Sequence, residues 1–154
     1  MPLSPLAKQV RKYLFDTVLD TGQAPPMVEI MRTLDLSRQQ ITHVLVELEE
    51  VRRAIREPWS ENLIQVPPFS NRPTPFRVTV EMDRKWYAHC GVSALGVSQS
   101  FPGKQVRVDS YCRDCAEPIS ITMVDENVVN LEPSTMVLHI ELPVRQWFEN
   151  IIRT

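Results

Sequence analysis

The chain has 154 residues, 43% of them hydrophobic and 23% charged, the makeup of an ordinary globular protein of one domain or two small ones sharing a core. A net charge of −2 excludes the basic surplus with which general nucleic-acid binders meet phosphate, and no apolar run has the length of a signal-peptide core or a membrane span. The expected place is therefore the cytoplasm, where the three cysteines are thiols rather than structural disulfides.

Ser4-Pro5 is a helix start, a capping hydroxyl followed by proline where its missing N–H costs nothing. Leu6, Val10, Leu14 and Val18 follow at helical spacing, and Gly22 is the stop. Pro25-Pro26 opens a second helix with Met27, Ile30, Met31 and Leu34 on one face. Ser37 begins a third, with Gln40 completing a capping box and a stripe of Ile41, Val44, Leu45, Leu48, Val51 and Ile55. Residues 1–57 thus read as a three-helix, winged-helix-like module. As a DNA reader it would offer Arg38, Gln39, Gln40 and His43 from its third helix. Its eight basic residues are matched by eight acidic ones up to residue 59, and Glu47, Glu49 and Glu50 would oppose a phosphate backbone. A scaffold is the expected role, and DNA is not an expected partner.

Prolines 58, 67, 68, 73 and 75 mark residues 58–75 as an ordered, extended linker, with Phe69 and Phe76 holding it to a surface. Residues 76–154 then read as α+β, a small mixed sheet with a packed helix. Phe76–Met82 alternates as a strand with one apolar face. Asp83 is the expected cap of a helix from Arg84 carrying Trp86, Tyr87, Cys90, Ala94 and Val97. Val106–Ser110 and Ile119–Val124 are strands on either side of a Cys112–Pro118 turn. Met136, Leu138, Ile140 and Leu142 alternate as a last strand, with His139 turned to the opposite, outer face. Trp147, Phe148, Ile151 and Ile152 are apolar and need burial, at home or against a partner.

All three cysteines fall between Trp86 and Cys115. By residue type, Cys90 on an apolar helix face is either a core thiol or a reactive one. Cys112-Arg113-Asp114-Cys115 suits half a zinc site, but no second C-x-x-C or paired-histidine motif supplies the other half. Cys90, Cys112 and Cys115 with His89 or His139 would be the remaining four-ligand combination, so zinc is a possible metal but not an expected one.

Lys85-Trp86-Tyr87-Ala88-His89-Cys90, then Val106–Cys112, then Pro118-Ile119-Ser120-Ile121-Thr122 and Leu131-Glu132-Pro133 stand in an order that resembles the organomercurial (alkylmercury) lyases. Pro73–Val78 resembles the entry to that family's catalytic domain, and the helical module fits the winged-helix-like domain before it. The resemblance implies protonolysis of a carbon–mercury bond, with no cofactor required and mercury as substrate metal. A cysteine thiolate binds the soft metal, a second sulfur joins it, an acid protonates the leaving carbon, and a small thiol carries mercury away. Carried over by residue, Cys90 matches the first catalytic cysteine in its Tyr-Ala-x-Cys setting, and Cys112 matches a cysteine used mainly structurally. Ser93 stands where the family usually has a proton-handling Asp, serine being an occasional variant. The family's second catalytic cysteine follows a Leu-Pro segment matched by Leu142-Pro143; here Val144–Thr154 holds no Cys. Either Glu149 occupies that place or the chain ends before it, and Cys115 becomes the candidate second sulfur. The expected catalytic set is Cys90, Ser93 and Cys115, and the expected mercury ligands are Cys90, Cys112 and Cys115. The alternative is a non-catalytic soft-metal binder or sensor, or a regulator built on the helical module.

Overall fold

The computed structural model of the protein describes residues 2–140. Three helices open the chain: α1 (Pro5–Thr21), α2 (Met27–Leu34) and α3 (Arg38–Glu50). The Ser4 hydroxyl accepts the Ala7 N–H, and Ser37 and Gln40 close a full capping box, so both starts form as the local sequence dictates. Gly22 takes a left-handed φ of 79° and its N–H returns to the Val18 carbonyl, which ends α1. Ala7, Val10, Leu14, Ile30, Ile41, Val44, Leu45 and Leu48 are the buried faces that hold the three together.

The remaining elements are β1 (Ile55–Arg56), β2 (Leu63–Val66), β3 (Phe69–Ser70), β4 (Phe76–Val80), β5 (Arg84–Ala88), α4 (Gly91–Gly96) continuing into a short 3₁₀ turn, β6 (Gln105–Tyr111), β7 (Pro118–Val124) and β8 (Asn127–Glu132). The eight strands form one sheet in the order β1-β2-β3-β5-β4-β6-β7-β8. Every ladder is antiparallel, which corrects the expected mixed sheet. The short turns between β4 and β5, β6 and β7, and β7 and β8 permit hairpins only, since a parallel pair needs a long crossover. The class is α+β.

Two further expectations give way. Residues 58–75 are not a plain linker, because β2 and β3 lie within them and Leu63, Val66 and Phe69 are buried in the common core. The prolines bound these strands and do not abolish them. The segment from Arg84 is strand, not helix: Phe76–Val80 pairs residue for residue with Arg84–Ala88, and Asp83 lies in the hairpin turn with Glu81 and Met82 at positive φ. Apolar residues Trp86 and Ala88 fit a two-residue period as well as a helical one, and the neighbouring strand decides between them.

The core is continuous from helices to sheet. Phe15, Phe69, Trp86 and Phe101 form a chain of ring contacts with centroids 5.8, 6.0 and 5.0 Å apart. The Trp86 indole N–H donates to the Val18 carbonyl at 2.7 Å, tying β5 to the end of α1. Glu49 on α3 accepts Arg56 Nε and Nη2 at 2.9 and 2.7 Å and the Arg56 backbone N–H at 3.0 Å, a fork that fastens α3 to β1. No helix among the described residues is long and apolar enough to cross a membrane.

After β8 the chain turns at Pro133, whose carbonyl accepts the Met136 N–H, and residues 136–140 run without a strand partner among the described residues. Over residues 136–140 the expected strand does not form, because this segment lies over α4 instead of beside β8: a Cβ built on Gly91 would stand 3.2 Å from Leu138 Cδ1 and 3.4 Å from Phe76 Cε1. The apolar residues near the end of the chain, and Leu142-Pro143 before them, lie outside the described residues.

Candidate functional site

Cys90 occupies the junction of β5 and α4. It is the N-cap of α4, in extended conformation, and its carbonyl accepts the first helical N–H, from Ala94, at 2.9 Å. The chain entering this junction is held on three sides. Thr74 donates its hydroxyl to the Ala88 carbonyl at 2.6 Å, the His89 N–H donates to the Pro68 carbonyl at 3.3 Å, and Gln65 Nε2 lies 2.6 Å from His89 Nδ1. Thr74, Pro68 and Gln65 all come from the proline-marked stretch, whose part in the site no motif announces. The sulfur is half-buried; it accepts the Ser93 N–H at 3.5 Å and lies 3.4 Å from the Ser93 hydroxyl.

Cys112 and Cys115 sit on the turn between β6 and β7. The turn is closed by Cys112 N–H to the Glu117 carbonyl at 2.8 Å and Ala116 N–H to the Cys112 carbonyl at 3.0 Å, with Ala116 at φ 59°. The two thiols hydrogen-bond to each other and titrate differently. The Cys115 and Asp114 backbone N–H groups, with the Cys115 thiol, hold Cys112 below the ordinary thiol range. At Cys115 the Glu117 N–H pulls downward, but the bond to Cys112, desolvation and the charges of Cys112 and Glu117 together push it up.

All three cysteines line one open cavity of about 640 Å³, together with Phe76, Tyr111, Asp114, Glu117, Pro133 and residues 135–140. Beside it lies a smaller, apolar cavity of about 180 Å³, walled by Leu95, Val108, Ile121, Leu131 and neighbours, with Phe76, Gly91, Ile119 and residues 136–138 shared between the two. Exposed Val137, Leu138 and Ile140 form the outer wall. His139, expected on the face opposite Leu138 and Ile140, lines the larger cavity with them because the segment is not a strand.

The cavity brings Cys90, Cys112 and Cys115 to one space without gathering them into a cluster: among the described residues no three His, Cys, Asp or Glu side chains converge as metal ligands. The tight β6–β7 turn holds Cys112 and Cys115 beside each other, and Cys90 lines the same cavity. Ser93 touches the Cys90 sulfur but is not part of the cavity wall. Of the residues that a DNA reader would offer, Arg38 is paired with Glu61 at 2.8 Å and Gln40 is taken up by the cap of α3. Gln65, Thr74 and the strap of residues 136–140 are what sequence reasoning missed. A buried polar residue in a strand leaves no pattern of its own.

The family model for alkylmercury lyase matches residues 69–153. Alkylmercury lyases from Bacillus cereus and Clostridium butyricum are each 34% identical over 71 residues, which is 46% of this chain and 32% of theirs. The matched stretch therefore spans about a third of those relatives. A crystal structure described as the mercury-bound form of MerB2 superposes with a TM-score of 0.69 over 86% of this chain and 63% of that one, at 20% identity, and so shares the fold. With more than half its length inside the family model, this chain belongs to the alkylmercury lyase family.

Proposed function

We propose that the protein cleaves the carbon–mercury bond of organomercurials, with Cys90 as the thiolate that takes the metal. The observation that carries this reading is the pairing of a cavity lined by Cys90 with an apolar chamber directly beside it. A soft thiolate draws the mercury, and an apolar recess takes the hydrocarbon. Leu95, Val108 and Ile121 would hold the organic group while the metal stays at the sulfur.

In the reaction the Cys90 thiolate displaces a weaker ligand from mercury. Cys115, across the same cavity, supplies the second sulfur, and the added electron density weakens the bond to carbon. The Hg–C bond then breaks with its electron pair on carbon, which takes up a proton and leaves as hydrocarbon; mercury(II) remains on the thiolates. The Ser93 hydroxyl passes the proton inward. A hydroxyl is a poor acid, so this step is slow compared with one served by a carboxyl. A small thiol removes the metal, which suits the reducing conditions of the cytoplasm, and no resident cofactor takes part. The N-terminal module, winged-helix-like in its order of helices, serves as scaffold and not as a reader of DNA.

The test is release of hydrocarbon from an organomercurial in excess small thiol, measured in the headspace for the protein and for Cys90→Ala and Cys115→Ala. Catalytic release that both substitutions abolish supports the reading. Mercury bound one-for-one with no hydrocarbon released sinks it, and would make the protein a soft-metal binder.

A further inference from the structure

We propose that Cys112 and Cys115 form a two-sulfur clamp for mercury(II), a receiving site for the inorganic product distinct from the Cys90 sulfur. The clamp rests on the proposed function for the source of its metal, but its existence as a binding site does not. The two cysteines are three residues apart on a turn closed at both ends by backbone hydrogen bonds, and their thiols already meet. Closure of that kind presents both sulfurs to one side, which is how a C-x-x-C step holds a metal with two ligands.

The surroundings select the cation. Among the described residues no third side chain joins the pair to make a ligand cluster, so a cation that wants four ligands is left with half its shell. A soft cation content with two thiolates is not. Cys115 is exposed and Cys112 half-buried, so the pair is open to the cavity and to solvent. Both line the cavity that also holds Cys90, which gives mercury a path that never leaves the protein.

Transfer proceeds by exchange of one sulfur at a time. Mercury(II) held by Cys90 and Cys115 accepts the Cys112 sulfur and releases that of Cys90. As the Cys112 thiol bonds to the metal it loses its proton, and the displaced Cys90 thiolate takes one up. No electron changes hands, and no oxidant or reductant is required. The end state is mercury(II) bridging Cys112 and Cys115, with Cys90 free for another substrate. The second sulfur binds intramolecularly, at an effective concentration of about millimolar for a short connection, so the pair outcompetes a dilute monothiol where one cysteine alone does not.

The experiment loads the full-length protein with mercuric chloride in the presence of a micromolar monothiol competitor, desalts it and counts retained mercury. Cys90→Ala is expected to keep one mercury per chain. Cys90→Ala with Cys112→Ser, and Cys90→Ala with Cys115→Ser, are expected to retain about tenfold less or lower still. Because the turn is on the surface, circular dichroism of the serine variants serves as the check that they fold; Arg113→Ala, which leaves both sulfurs, is the parallel variant that must retain the metal. Full retention in either serine variant, or loss of all mercury on removing Cys90 alone, overturns the clamp. So does zinc held as tightly as mercury. No carbon–mercury bond is involved in this assay, so a protein that fails to release hydrocarbon but keeps mercury on the pair loses the proposed function and retains the clamp, and the converse result does the reverse.

Discussion

Cys90 owes its setting to a single backbone decision, the change from β5 to α4 at its own position, which aims the Ser93 N–H at its sulfur. In the proposed reaction Ser93 is the residue that handles the proton. Replacing it by aspartate puts a carboxyl within reach of the same sulfur, and Ser93→Asp is expected to raise hydrocarbon release by about tenfold or more, since positioned acids commonly contribute factors of this size. Ser93→Ala is expected to lower it; equal rates in all three proteins would remove Ser93 from the reaction. The Cys112–Cys115 pair carries its own pH signature. One folded-state thiol lies below and the other above the ordinary value, so as pH rises the first proton leaves mainly from Cys112 and the second from Cys115. Mapping iodoacetamide adducts by mass spectrometry across the alkaline range is expected to find Cys112 modified at lower pH than Cys115. Simultaneous labelling would contradict the hydrogen bonding described for the turn.

At the scale of elements, two of the contacts that join the helices to the sheet have a measurable worth. Trp86→Phe removes the bond to the Val18 carbonyl, but that carbonyl keeps the Gly22 N–H at 2.9 Å, so no bare acceptor is left behind. The loss is expected to be about 2 kcal/mol in urea unfolding, a net hydrogen bond together with the space vacated by the indole. The Glu49–Arg56 fork acts through charge. Burial pushes the Glu49 carboxyl up, yet the Arg56 hydrogen bonds and the charges of Arg56 and Arg52 hold it below the usual range. A carboxyl whose folded value is depressed contributes stability that is fully present above its unfolded pKa and is lost as pH falls through the folded one. Glu49→Gln is therefore expected to be less stable than the parent at neutral pH, with the gap closing in acid. A gap that stayed constant with pH would assign the contact to packing.

Across the whole molecule, the core runs unbroken from Ala7 on α1 to Val108 on β6. The site depends on that continuity, because the strand that delivers Cys90 is anchored through Trp86 to the end of α1. A fragment lacking residues 1–50 leaves Phe69 and Trp86 without their helical cover. It is expected to lose cooperative thermal unfolding and to bind hydrophobic dyes, whereas a sharp transition in that fragment would mean that the sheet stands alone.

The helices were legible because their signals are local: Ser4-Pro5, Gly22 and the Ser37–Gln40 box act within one turn of chain, and α1 to α3 form where they point. The strands at 76–80 and 105–111 were legible for a similar reason, a two-residue period with one buried face, and 118–124 by its run of β-branched residues. Cys90, Cys112 and Cys115 were picked out by residue type and by resemblance, and all three open onto one cavity. What the chain could not announce was partnership. Arg84–Ala88 became a strand because β4 lay ready to pair with it, and residues 63–66 and 69–70 became strands because the sheet edge extended to receive them. Residues 136–140 gave up their alternation to cover α4, where Gly91 leaves room for Leu138. Residue order determines which groups exist and what each prefers within a few residues of itself; distance between sulfurs, and therefore what they can hold together, is set by hydrogen bonds and contacts between segments far apart in the chain.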